Sequence, residues 1–126
     1  MRYSKQRELV MQQVKALSDH PTAEEIYQNA RQECPGLSLG TVYRNLNSLV
    51  EAGRVRRVPV PGQPDRFDHT LSWHSHLYCT RCGQVTDLDL GDDVMRRLLS
   101  NQPGRITDCV LTWIGLCEDC ARKEKA

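Results

Sequence analysis

Four of the six cysteines fall into two Cys-x-x-Cys pairs, Cys79/Cys82 and Cys117/Cys120. Two thiolates at that spacing can grip one ion from a tight turn, and a second such turn completes the closed tetrahedral shell that structural zinc prefers. Glycine follows the first pair in Cys79-Thr80-Arg81-Cys82-Gly83, which suits such a turn. The interval from Cys82 to Cys117 is longer than in a compact zinc ribbon, so the ion is expected to clip together two distant strands. A disulfide pair and a redox dithiol are the alternatives. The start Met1-Arg2-Tyr3-Ser4-Lys5 has no apolar stretch behind it, so no secretory signal is expected, and cytoplasmic thiols stay reduced. Cys34 and Cys109 have no partner by spacing and read as ordinary buried thiols.

A second cluster of ligands lies beside the first cysteine pair. His74 and His76 alternate along a strand-like run and so point the same way, Asp68 lies just upstream, Asp87 follows on the next strand, and His20 sits between the first two helices. Without a thiolate, such a set suits Fe(II), Mn(II) or Zn(II) rather than Cu(I). The bland reading makes His74 and His76 surface residues and Asp68 a turn cap. His69 is out of register with the set.

These residues need elements to hold them. Apolar Val10, Val14 and Leu17 predict a helix from a Ser4 cap to about Ser18, stopped by Asp19-His20-Pro21. Thr22-Ala23-Glu24-Glu25 is a capping box for a second helix with Ala23, Ile26, Tyr27 and Ala30 buried, ended by Cys34-Pro35-Gly36. Ser38 caps a third helix with Val42, Leu46, Leu49 and Val50 inward, closing at Gly53. Residues 54–60, a Pro61-Gly62-Gln63-Pro64 turn and residues 65–68 read as a β-hairpin. Beyond it the sequence predicts a strand over 73–78, a second over 84–88, and a helix capped by Asp92 carrying Val94, Met95, Leu98 and Leu99. A long strand over 105–116, with Ile106, Val110, Trp113 and Ile114, then delivers Cys117 and Cys120.

Three short helices and a hairpin in that order describe a winged helix-turn-helix, whose third helix enters the DNA major groove. Thr41, Tyr43, Arg44, Asn45 and Asn47 are expected to face outward on that helix, with Arg54, Arg56 and Arg57 at the base of the wing near phosphates. The chain is thus expected to be mixed α/β (α+β). Residues 1–66 would form a winged-helix DNA-binding domain, and residues 67–126 a small zinc-containing α/β domain for metal binding and dimerisation. Net charge is only +1, but through Arg66 ten Lys/Arg stand against seven Asp/Glu, and beyond it seven against nine. That slight excess is weak support for DNA binding, and a zinc-bearing interaction module remains the rival of another class. No apolar run is long enough to span a membrane, and nothing resembles an enzyme's nucleophile or phosphate loop, so a non-enzymatic cytoplasmic protein is expected.

The segments His20-Pro21-Thr22-Ala23-Glu24-Glu25-Ile26-Tyr27, Gly40-Thr41-Val42-Tyr43-Arg44-Asn45-Leu46, Arg66-Phe67-Asp68, His74-Ser75-His76 and the two cysteine pairs together resemble the ferric uptake regulator family of metal-dependent repressors, in that family's order. The resemblance implies a homodimer on a palindromic DNA operator, a structural Zn(II) on the four cysteines, and a regulatory Fe(II) or Mn(II) on His20, Asp68, His74, His76 and Asp87. The family's peroxide-sensing (PerR) branch carries Asp at the position of Asp87, where iron and zinc sensors often carry Glu. A sensor of hydrogen peroxide, acting through Fe(II)-catalysed oxidation of His20 or His74, is therefore implied, with an iron, zinc or manganese uptake regulator as the alternative. The chain departs from the pattern at Asp108-Cys109, where many members pair histidines, and at Trp73, where histidine is common, so no further metal site is implied. It also begins close to the first winged-helix helix, where many members carry an extra one.

Overall fold

The computed structural model describes residues 3–17, 20–72 and 74–125. The chain divides into two compact units, Met1–Ser72 and Trp73–Ala126.

The first unit holds α1 (Tyr3–Ala16), α2 (Ala23–Glu33) and α3 (Leu39–Glu51), followed by the antiparallel hairpin of β1 (Arg56–Val58) and β2 (Arg66–Asp68). Helix α1 is already under way at Ser4, so that serine is not its cap; the expected stop at Asp19 lies outside the described residues. The box before α2 forms as the sequence predicts, with the Glu25 N–H donating to Thr22 Oγ1 at 3.2 Å and the Thr22 N–H to Glu25 Oε1 at 3.3 Å. Ser38 caps α3 by accepting from the Thr41 N–H at 3.1 Å. At the far end the Gly53 N–H bonds Val50 O and the Arg54 N–H bonds Leu49 O, a Schellman closure that places Gly53 at φ +72°. The apolar stripes converge on one core in which Val10, Ile26, Val42, Leu46 and Leu49 are fully enclosed.

Strand β2 belongs wholly to this unit. Arg57 pairs with Phe67 across the hairpin, and Phe67 is buried in the helical core, so the first unit extends to Ser72 rather than ending at Arg66 as the sequence suggested.

The second unit is a three-stranded sheet ordered β4 (Val85–Leu88), β3 (Ser75–Cys79), β5 (Thr112–Gly115), with α4 (Asp92–Leu99) and α5 (Glu118–Lys125). Strand β3 runs antiparallel to β4 and parallel to β5. Several sequence expectations need correcting. The strand expected from Trp73 begins at Ser75, leaving His74 just ahead of it; Trp73 lies outside the described residues. Gly91, not Asp92, holds the N-cap of α4 and makes no side-chain cap bond. The long strand over 105–116 forms only at Thr112–Gly115, the stretch that pairs in register with β3. Helix α5, with charged residues at six of its eight positions, has too little apolar pattern to be visible in the sequence.

Candidate metal centres and nucleic-acid face

The cysteine cluster is built by the alignment of β3 with β5. Cys79 ends β3 opposite Gly115, and the Thr80 N–H donates to Gly115 O at 2.8 Å, which brings the turn after β3 against the segment entering α5. That turn is closed by the Gly83 N–H on Cys79 O and the Cys79 N–H on Gln84 O, both at 2.9 Å, with Gly83 at φ +77°. The second turn uses the start of α5, where the Ala121 N–H bonds Cys117 O at 2.9 Å.

One ligand atom from each of Cys79, Cys82, Cys117 and Cys120 lies within 4.8 Å of the others, and Cys82 Sγ stands 3.9 Å from Cys117 Sγ. Four sulfurs around zinc at tetrahedral angles are about 3.8 Å apart, so the donor set fits the ion. Cys79, Cys117 and Cys120 are buried and none of the six cysteines is oxidised to a disulfide. Backbone N–H groups, that of Cys82 first and then that of Cys117, pull the Cys79 thiol down to about 6. Burial, reinforced by the neighbouring thiols, pushes Cys120 up to about 12. Of the remaining thiols, Cys34 is buried as expected, but Cys109 is partly exposed.

The His/Asp residues form a half-site in each unit. In the first unit, β2 grips the segment between α1 and α2. The Phe67 N–H donates to Pro21 O at 2.9 Å, Thr22 and Arg66 form a bridge, and Arg66 Nη1 donates to His20 O at 3.4 Å. His20 is held there at φ +57°, a left-handed conformation that costs a residue with a Cβ roughly 1 kcal/mol or more. Its Nε2 faces Asp68 Oδ2 at 3.4 Å, both side chains nearly enclosed. Asp68 also fills the blander role, since its Oδ1 accepts from the Thr70 N–H at 3.0 Å. The two carboxylate oxygens divide the tasks.

In the second unit the β3/β4 register sets His76 directly opposite Asp87. Asp87 Oδ1 lies 3.0 Å from His74 Nε2 and 3.5 Å from His76 Nε2, and the two imidazoles stand 4.5 Å apart. Both histidines are shielded while Asp87 is more than half exposed. Two imidazole nitrogens converging on one carboxylate oxygen, with no sulfur nearby, suit a borderline divalent ion.

On α3, Tyr43, Arg44 and Asn47 are exposed and Thr41 is partly so. Asn45 is a correction: it is fully buried, with neither amide atom hydrogen-bonded among the described residues, and cannot reach a base from there. The helical stripe is wider than the four apolar positions suggested, and Asn45 sits next to Leu46 inside it. Arg44 Nη2 donates to Thr41 Oγ1 at 2.9 Å. Arg54 reaches back to Glu8 of α1 at 3.0 Å and lowers that carboxyl's pKa, whereas Arg56 is partly exposed on β1. Arg57 is engaged by Asn47 and Asp65.

Comparison with known proteins follows the same lines. The sequence model of the ferric uptake regulator family matches residues 1–110. The chain is 31% identical to the peroxide operon regulator of Bacillus subtilis over 126 residues, covering 98% of this chain and 87% of that protein. Among solved structures, the Campylobacter jejuni peroxide stress regulator superposes with a TM-score of 0.78 at 30% identity, covering 94% of this chain and 90% of that one. The Vibrio cholerae ferric uptake regulator, described by its DNA-binding domains, gives 0.72 at 28% identity, covering 89% and 88%.

Proposed function

The chain belongs to the ferric uptake regulator family, and we propose that it is a metal-dependent, DNA-binding transcriptional repressor that senses hydrogen peroxide. The observation that carries this reading is the convergence of His74 and His76 on Asp87 in one unit and of His20 on Asp68 in the other, beside a separate four-thiolate cluster. The relatives in Bacillus subtilis and Campylobacter jejuni are named for peroxide, and Asp87 matches that branch.

In this reading Cys79, Cys82, Cys117 and Cys120 hold a structural zinc whose shell is closed to chemistry. His20, Asp68, His74, His76 and Asp87 hold one regulatory Fe(II) or Mn(II). Occupancy of the regulatory site would favour the form in which the recognition helices of a homodimer match two half-sites of a palindrome. Tyr43, Arg44 and Thr41 would meet base edges and phosphates, and Arg56 the backbone beside the wing. Met1–Ser72 would serve as the DNA-binding part and Trp73–Ala126 as the dimerisation part. The protein acts in the cytoplasm and is not an enzyme; among the described residues no helix is long and apolar enough to cross a membrane.

Held by these residues, Fe(II) would supply the redox chemistry that activates peroxide, without being consumed in the net reaction. The net change on the protein is one oxygen inserted into a C–H of the His20 or His74 imidazole, while the second peroxide oxygen leaves as water. The altered ring is a poorer ligand, so the DNA-binding form loses its support and DNA is released. Mn(II) in the same residues would give a repressor insensitive to peroxide.

Mass spectrometry after exposure to Fe(II) and peroxide tests the reading. A gain of one oxygen on His20 or His74, with loss of DNA binding, is expected. Intact histidines with unchanged DNA binding would make the protein a metal-uptake regulator instead. His20→Ala should keep zinc and the dimer yet lose metal-dependent DNA binding in a gel shift; a variant still responsive to Mn(II) would remove His20 from the ligand set.

A further inference from the structure

Arg57 occupies the middle of β1, and both terminal nitrogens and the face of its guanidinium have partners. Nη2 donates to Asn47 Oδ1 on α3 at 2.7 Å, Nη1 donates to Asp65 Oδ2 ahead of β2 at 3.0 Å, and the plane lies 5.5 Å from the centre of the Phe67 ring. Asn47 and Arg57 are both residues that sequence alone assigns to DNA. One guanidinium N–H is thus committed to Asn47 on the helix and another to Asp65 on the hairpin.

We propose that Arg57 is a positioning residue that locks the wing to the recognition helix, with Asn47 as its anchor on the helix and Asp65 as its anchor on the returning strand. The inference rests on the DNA-binding reading above. A hairpin of two three-residue strands is marginal as a free-standing element, and its angle to α3 decides where Arg56 meets the backbone. The planar fork of arginine suits the task, since it can hold a carboxylate and an amide oxygen at once while its face rests on a fixed ring. Phe67 is such a ring, almost wholly buried in the helical core. Arg54 lacks this arrangement: among the described residues its guanidinium meets Glu8, and both side chains are about half exposed.

The sign of one substitution separates a lock from a contact. Asp65 is a negative charge beside the DNA face, so if Arg57 met a phosphate directly, Asp65→Asn would release it and tighten binding. If Arg57 is a lock, Asp65→Asn weakens binding by about three- to tenfold although the protein becomes more basic. The measurement is fluorescence anisotropy with Mn(II) on a duplex selected from random-sequence DNA by the wild-type protein, across a salt series, with thermal melting to confirm that each variant is folded. Arg57→Lys, which keeps the charge and loses the fork, should be about as weak as Arg57→Gln. Neither should change the salt dependence. Asn47→Ala should weaken binding similarly, and Arg57→Gln combined with Asp65→Asn should be no weaker than the worse single variant.

Tighter binding by Asp65→Asn, rescue by Arg57→Lys, or a salt slope reduced by about one in Arg57→Gln would each overturn the lock while leaving DNA binding in place. A wild-type protein that selects no duplex would overturn the DNA-binding reading and the lock with it.

Discussion

In Met1–Ser72, Val10, Ile26, Val42, Leu46, Leu49 and Phe67 close on one another, and the three helices and the hairpin all contribute. In Trp73–Ala126 a buried cluster among the described residues is instead Cys79, Cys117 and Cys120 with Leu116 against it; Val85 is buried too, while Val94, Leu98, Ile106, Val110 and Ile114 lie open. The first unit can be stabilised by its own side chains. The second has put cysteines where a core would be and left its apolar residues for something else to cover, the arrangement expected of a small domain that needs a metal and a partner. Stability and sensing are therefore distributed unevenly along the chain, and each half should fail in its own way.

The largest effect should follow removal of zinc. Structural zinc contributes on the order of 10 kcal/mol of apparent binding energy in small domains, far more than the second unit's apolar burial can replace. Cys79→Ser or a strong chelator should unfold residues 73–126 while the helices of the first unit persist, giving residual α-helical circular dichroism and selective loss of amide protection in the second unit. Cooperative loss of both units would break the contrast. Protonation provides a second check. At neutral pH the metal-free Cys79 thiol, at about 6, is already ionised, whereas Cys120, at about 12, is not. Zinc binding near pH 7 must therefore expel the Cys120 proton, and affinity should fall as pH is lowered. Zinc titration in buffers of different ionisation enthalpy reads the net number of protons released by the four thiols.

A cavity in the first unit should rank next. Leu46 is fully enclosed, and Leu46→Ala should cost about 2–5 kcal/mol, seen as a lowered first-unit melting transition with the zinc content unchanged. A smaller effect is expected from the open face of the second unit. Ile114→Asp or Val110→Asp, at positions 57% and 64% exposed, should leave the monomer's fold intact but weaken the proposed homodimer by about 2–4 kcal/mol. Analytical ultracentrifugation would show it; an unaltered dimer would mean that this apolar face is covered by something other than a second copy.

The same contrast explains what could be read from the sequence. The first unit's elements are local. Capping boxes, a helix-closing glycine and stripes at helical spacing are short-range signals, and α2, α3 and the hairpin stand where those signals place them. Asn45 escaped because pattern reading assigns a polar residue to the outside, and only the packing of α3 against its neighbours shows the position to be enclosed. The candidate ligand residues could be singled out because metal chemistry restricts residue type and spacing so sharply, yet the pairing of His20 with Asp68 depends on a non-local bridge between Thr22 and Arg66 that no local motif announces. In the second unit the alternation over 105–116 suggested a long strand, but strand formation needs a neighbour, and the stretch that pairs in register with β3 is Thr112–Gly115. Apolar residues there answer to a surface outside the single chain.

The smallest predicted effect probes whether the first unit's own framework, rather than a helix cap, holds its half of the metal centre. Thr22→Ala removes the side-chain half of the capping box, including the 3.2 Å bond from the Glu25 N–H, and should cost about 1 kcal/mol. The backbone bridge from Thr22 to Arg66 and the Phe67 N–H bond to Pro21 O survive the substitution, so His20 should keep its place beside Asp68. Mn(II) affinity should then stay within about twofold of wild type, because that free-energy loss falls on a unit that remains almost entirely folded at 25 °C. A tenfold loss of Mn(II) affinity with little change in melting would reverse the assignment. The cap, not β2, would then be what orients His20, and the half-site would depend on the start of α2 instead of on the wing.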